Sequence, residues 1–169
     1  MIAPIPQAPA GLVSLFEPWA SLYSDSKLIA TLVLFGHIAA LLFAGGFAVA
    51  LDRATLRAAA SPERRKQHLE DLAGSHRIIV SGLVVSATTG LLLFTADIES
   101  YFGSWVFWTK MGLIVFMLLN GYGIMRAEKF LKNGGNEAEG WSQLKRTAIA
   151  SLVFWFAIAF MGVALVNAA

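Results

Sequence analysis

Residues 28–51 read LIATLVLFGHIAALLFAGGFAVAL, and DRATLRAAASPERRK follows at once as residues 52–66. The apolar part contains His37 as its one titratable group and is longer than the roughly 20 residues that carry a helix across the hydrocarbon core of a bilayer. Hydrocarbon offers the backbone no hydrogen-bond partner, so such a segment must be helical, and the alternation of a barrel strand is absent. The basic run behind it marks the side on which the segment ends.

Three further stretches have the same character. They cover residues 78–96, residues 105–125 (interrupted by Lys110 and Asn120) and residues 148–166. The 169-residue chain is 57% hydrophobic and 14% charged, where a soluble domain carries roughly a quarter charged residues. The expected fold is all-α: an integral membrane four-helix bundle, residues 28–169, preceded by an extracytoplasmic segment, residues 1–27. The chain has no cysteine, which removes disulfides, thiolate metal sites and cysteine nucleophiles. Its pI near 9.1 is no sign of a nucleic-acid partner, because the basic residues gather in two loops rather than along a groove.

Arg53, Arg57, Arg64, Arg65, Lys66 and Arg77 follow the first span, and Arg126, Lys129, Lys132, Lys145 and Arg146 follow the third. Only Lys27 and Lys110 of the thirteen basic residues lie elsewhere, so both loops are expected in the cytoplasm and both termini in the periplasm of a bacterial inner membrane. The N-terminal segment lacks the positive region of a signal peptide. Pro4, Pro6 and Pro9 keep its start extended, and Leu12, Leu15, Phe16, Trp19, Leu22 and Tyr23 recur at helical spacing. That pattern reads as a short amphipathic helix lying in the outer interface, or as an apolar tail packed on the bundle. Ser61 and Pro62 mark a helix start that lets the second span begin before the membrane, and Asn133-Gly134-Gly135-Asn136 is a turn that ends the third.

Gly36, Ala40, Ala44 and Ala48 recur every four residues, and Gly82, Ser86 and Gly90 form a similar stripe. Stripes of this kind let helix backbones approach closely. They also leave room for a flat cofactor. Ionisable residues in lipid need a reason. Counting about 1.5 Å per residue from the middle of each span puts His37, Lys110, Thr88 and Thr89 in one layer, a few ångströms outward of the midplane. His37 suits an axial ligand to haem iron, a copper ligand, a proton relay, or a neutral histidine bonded between helices. Lys110 either joins it or extends its ammonium outward to the headgroups. His76 and Arg77 read as an interfacial pair, His68 as a solvated residue, and Asn120 as a bond between helices. Trp19, Tyr101, Trp105, Trp108 and Trp141 read as interfacial anchors. Asp97 and Glu99 show no metal spacing. His37 and His76 differ in depth by about 20 Å, too far to ligate one iron within a single chain.

His37, Gly46 and Arg53, followed by Trp105 and Lys110, give the chain a loose resemblance over most of its length to the HemJ-type protoporphyrinogen oxidases, which belong with the CopD-like four-helix membrane proteins. The resemblance implies haem b, oxidation of a porphyrinogen in the membrane, and His37 with Lys110 as the functional pair, Lys110 in the catalytic role. The match departs from the family in the 36 residues before His37 and in Asp52, which stands where a proline usually precedes the arginine. Residues 89–94, TGLLLF, and the N-terminal helix resemble uncharacterised bacterial four-helix proteins of the same plan. The reading is a haem b protein with His37 as iron ligand and Lys110 as second ligand or propionate partner, Thr88 and Thr89 beside it, and a quinone as electron acceptor. An accessory or assembly subunit within a larger membrane complex or a homo-oligomer stays open, as does a metal or small-solute permease.

Overall fold

The computed structural model describes residues 7–168, and Pro4, Pro6 and Ala169 lie outside them. Its helices are α1 (Ala10–Asp25), α2 (Lys27–Ala59), α3 (Pro62–Ala96), α4 (Ile98–Gly103), α5 (Trp105–Lys132) and α6 (Glu137–Ala168), with no strand among the described residues. Helices α2, α3, α5 and α6 are each long and apolar enough to cross a membrane. They are the four expected spans, and the fold is an all-α membrane bundle.

Local chemistry sets the breaks. Ser26 separates α1 from α2, and its hydroxyl accepts from the Ile29 amide at 3.4 Å. Ser104 caps α5 through Phe107, and Asp97 caps α4 through Ser100. Pro62 begins α3 after Ser61, which is extended but forms no side-chain cap. Gly134, at φ 79°, makes the left-handed turn after α5, and the Asn136 side chain accepts from Glu139 to start α6.

One difference from the sequence reading matters for the site. The basic stretch after residue 51 is helix, not loop. Ala54, Ala58 and Ala59 favour helix, α2 runs through them, and only residues 60–61 link it to α3.

Helix α2 packs on α3 and α6, and α6 packs on α5; α3 and α5 touch little, among other places where Phe94 stacks on Phe107 and His76 meets Glu128. The helices carrying His37 and Lys110 are therefore diagonal across the bundle. They are not close packing neighbours, the arrangement the shared layer suggested, although Met117 of α5 joins Ala44 and Ala48 of α2 in one apolar cluster. The small-residue stripe lies in the contacts: a Cβ at Gly82 would stand 2.8 Å from that of Ala44, and one at Gly45 3.1 Å from the Trp155 ring. Leu32, Phe35, Leu42, Phe43, Phe116 and Leu119 point outward, as lipid-facing residues do. Helix α1 lies on α3 and α2, where the Trp19 indole donates to the Leu92 carbonyl at 2.9 Å, while Leu15 and Leu22 stay exposed. It is at once amphipathic and attached to the bundle.

Two apolar clusters fill the interior. Ala44, Ala48, Met117, Trp155 and Ile158 form the middle one, and Ala58, Leu72, Ala127, Trp141 and Leu144 form the other at the basic end. Trp141, read from sequence as an interfacial anchor, is 4% exposed. The helical extension of α2 and α3 covers it, and Arg65 lies 5.3 Å above its ring.

Candidate functional site

His37 leaves α2 facing α3. Its Nδ1 lies 2.9 Å from the Ser86 carbonyl oxygen and 3.2 Å from the Thr89 hydroxyl. A carbonyl can only accept, so Nδ1 carries the proton and donates. Nε2 is then the unprotonated nitrogen, and it forms no hydrogen bond among the described residues. Gly90 makes this position available, since a Cβ there would stand 3.0 Å from His37 Cε1. The second small-residue stripe thus seats the imidazole as well as packing the helices.

Of the two threonines, Thr89 reaches His37. Thr88 faces outward and bonds back to the Val84 carbonyl at 2.9 Å. The helical rotation between neighbouring residues separates them.

Lys110 points inward from α5. Its Nζ is 3.8 Å from where Gly162 would carry a Cβ, and among the described residues no carboxylate lies within ion-pair distance of it. The antiparallel register of α2 on α6, with Gly45 against Trp155, carries His37 to about the same level. His37, Ser86, Thr89 and Lys110 therefore form one polar layer over the middle apolar cluster.

Comparison of the chain with protein-family models, curated proteins and solved structures finds no match.

The other histidines differ from their sequence readings. His68, expected in solvent, is 6% exposed; its Nε2 is 2.8 Å from the Thr55 hydroxyl and its ring neighbours Trp141. Burial pushes the His68 imidazole below the ordinary histidine range, against the opposing pull of Asp71 and Glu128. His76 is no simple interfacial residue beside Arg77. Its Nε2 lies 2.7 Å from Glu128, whose other oxygen takes Lys132 at 2.7 Å. Glu128 is 7% exposed and had no signal in the hydropathy pattern beyond its place four residues before a lysine. Asn120 donates to the Thr147 carbonyl at 2.9 Å, the expected bond between helices. Clefts of about 290 and 350 Å³ open at the basic end, the first beside Arg57, Arg64 and His68, the second beside His76, Glu128 and Lys132.

The donor set at His37 suits a haem iron. Ligation needs a neutral imidazole with one nitrogen tied back and the other free, which is the state its neighbours impose. An unpaired ammonium at the same level would suit a propionate. Among the described residues no group of three or more histidines and carboxylates is set to hold a bare metal ion.

Proposed function

We propose that this chain is a multi-pass protein of the bacterial inner membrane, basic end in the cytoplasm and termini in the periplasm, that binds haem b through His37 and serves a redox reaction. The observation that carries the proposal is the tautomer: the Nδ1–H bond to the Ser86 carbonyl leaves Nε2 as an unprotonated nitrogen with its lone pair free and no hydrogen-bond partner among the described residues. Ser86 and Thr89 hold the ring, and Gly90 gives it space. Lys110 would serve as second ligand in its neutral amine form or as propionate partner in its ammonium form, and in the catalytic version as the cation that orients an anionic porphyrinogen. Haem supplies one-electron chemistry when bound, with a porphyrinogen as hydrogen donor and a quinone as acceptor. The protein's part is a ligand, an orientation and a dry surround.

The test is the absorption spectrum of the purified protein with two variants. A Soret band with sharp reduced α and β bands is expected, lost in His37→Ala and kept in His76→Ala. The reverse result would move the cofactor to the basic end. Loss in both would call for two haems or ligands from two chains.

A colourless protein would leave the accessory-subunit reading, which the Gly82–Ala44 contact and the broad apolar outer faces support without any cofactor.

A further inference from the structure

Among the described residues two carboxyl side chains are buried, and their surroundings are opposite. Glu128 is 7% exposed and holds two basic side chains at 2.7 Å, one on each oxygen. Asp52 is 5% exposed and holds none. It continues the line of Ala40, Ala44 and Ala48 along α2, so the face that buries those alanines against the other helices also buries the acid. Ser151 on α6 faces its carboxyl, while Oδ2 is buried with no protein donor among the described residues.

Among the described residues, the elements around Asp52 offer no counter-charge. Arg53, its neighbour on α2, is exposed. From α6 comes Ser151, and one turn away Thr147, whose carbonyl is taken by Asn120 of α5. On α3 the facing level is near Leu72; His68 there is bonded to Thr55, and His76 to Glu128. An ionised carboxylate in such a place loses its hydration and gains no partner, a state that buried charges avoid by pairing or by taking up a proton.

We propose that Asp52 is a proton-binding site, an undissociated carboxylic acid held between α2 and α6, whereas both oxygens of Glu128 are taken by basic side chains. Bound as the acid, Asp52 presents an O–H where a bare anion has no partner, and the Ser151 hydroxyl is left to donate to its carbonyl oxygen. The site lies about 22 Å along α2 from His37, by 1.5 Å per residue, with the middle apolar cluster between. It therefore stands whether or not haem is bound. Its ligand is a proton exchanged from the basic end, which gives the bundle a proton-loading step separate from the His37 layer.

Infrared spectroscopy of the full chain in lipid at neutral pH tests this directly. An undissociated carboxyl stretch that shifts in deuterium oxide is expected in the wild type, lost in Asp52→Asn and kept in Glu128→Gln. Absence of that band in the wild type, or its survival in Asp52→Asn, overturns the proposal. Loss of the band when sodium replaces potassium also overturns it, in favour of a cation site. Because Asp52→Asn could disturb folding, the wild type is also treated with an apolar carbodiimide and mapped by mass spectrometry. The acid O–H adds across one C=N bond and the adduct rearranges to an N-acylurea, a step that needs the undissociated form. An adduct on Asp52 and none on Glu128 is expected. An adduct on Glu128 with Asp52 unmodified overturns the assignment.

Discussion

Adding one methyl group at Gly82 should loosen the contact between α2 and α3, and the cost can be worked from the geometry. A Cβ there would stand 2.8 Å from the Cβ of Ala44, which is fully buried. Carbon atoms rest at about 3.5–4.0 Å, so the two helices must part by roughly 1 Å or shift along each other. Overpacking of this kind costs about 1–3 kcal/mol, against which alanine recovers about 1 kcal/mol of helix propensity lost at glycine. Gly82→Ala should therefore fall between neutral and a loss of about 2 kcal/mol. Gly112→Ala is the control, because a Cβ at Gly112 meets nothing within 4 Å. It should show only the propensity gain, so the two variants differ by about 1–3 kcal/mol. Moving the methyl from one helix to the other, in Ala44→Gly with Gly82→Ala, should recover most of the loss. Unfolding in mixed micelles by denaturing detergent, followed by far-ultraviolet circular dichroism, measures all four. Equal stability of Gly82→Ala and Gly112→Ala, or no recovery in the double variant, would refute the close-contact argument.

Three other outcomes follow from the basic end and the topology. Glu128→Ala leaves His76 and Lys132 without their shared acid and should cost up to about 3–5 kcal/mol, with Lys132 at 39% exposure lowering the figure; a double-mutant cycle with His76→Gln should show coupling, and strict additivity would refute it. His68 is held below the ordinary histidine value, so its folded form disfavours the proton: stability is complete above about pH 6.5 and declines as pH falls from there toward the folded value. That acid-side loss should be smaller in His68→Gln when melting temperatures are compared across pH. Single cysteines replacing Lys66 and Asn167 should label from opposite sides of the membrane, and labelling from one side would refute the even number of spans.

The four spans, the Ser61-Pro62 start and the glycine turn after α5 were legible because lipid and turn chemistry constrain them locally. His37 and Lys110 stood out because ionisable residues are rare in such segments. What hydropathy could not show was that residues 52–59 continue α2 as helix and that the charged stretch up to residue 73 packs on the bundle instead of standing in solvent. Two helical turns added to α2 and three to the start of α3 bury Asp52, Thr55, His68 and Leu72 around Trp141 and Leu144. One signal was present: Ala40, Ala44, Ala48 and Asp52 keep a four-residue interval, and Thr55 and Ala58 continue the same face at helical spacing. Periodicity carried the helix past the point where apolarity ended. The tie between His76 and Glu128 joins residues 52 apart and had no local trace.

The links of residues 60–61 and 133–136 also bear on how the molecule is assembled. Each joins two long antiparallel helices through a few residues, so α2 with α3, and α5 with α6, are hairpins whose contacts close before the rest of the chain is needed. Such pairs can enter the bilayer as units, leaving the α2–α6 seam as the last to form. A chain divided after α4 should then yield two fragments that insert independently and combine in the membrane, with the α2–α6 contacts between Gly45 and Trp155 and between Asp52 and Ser151 made only at that final step.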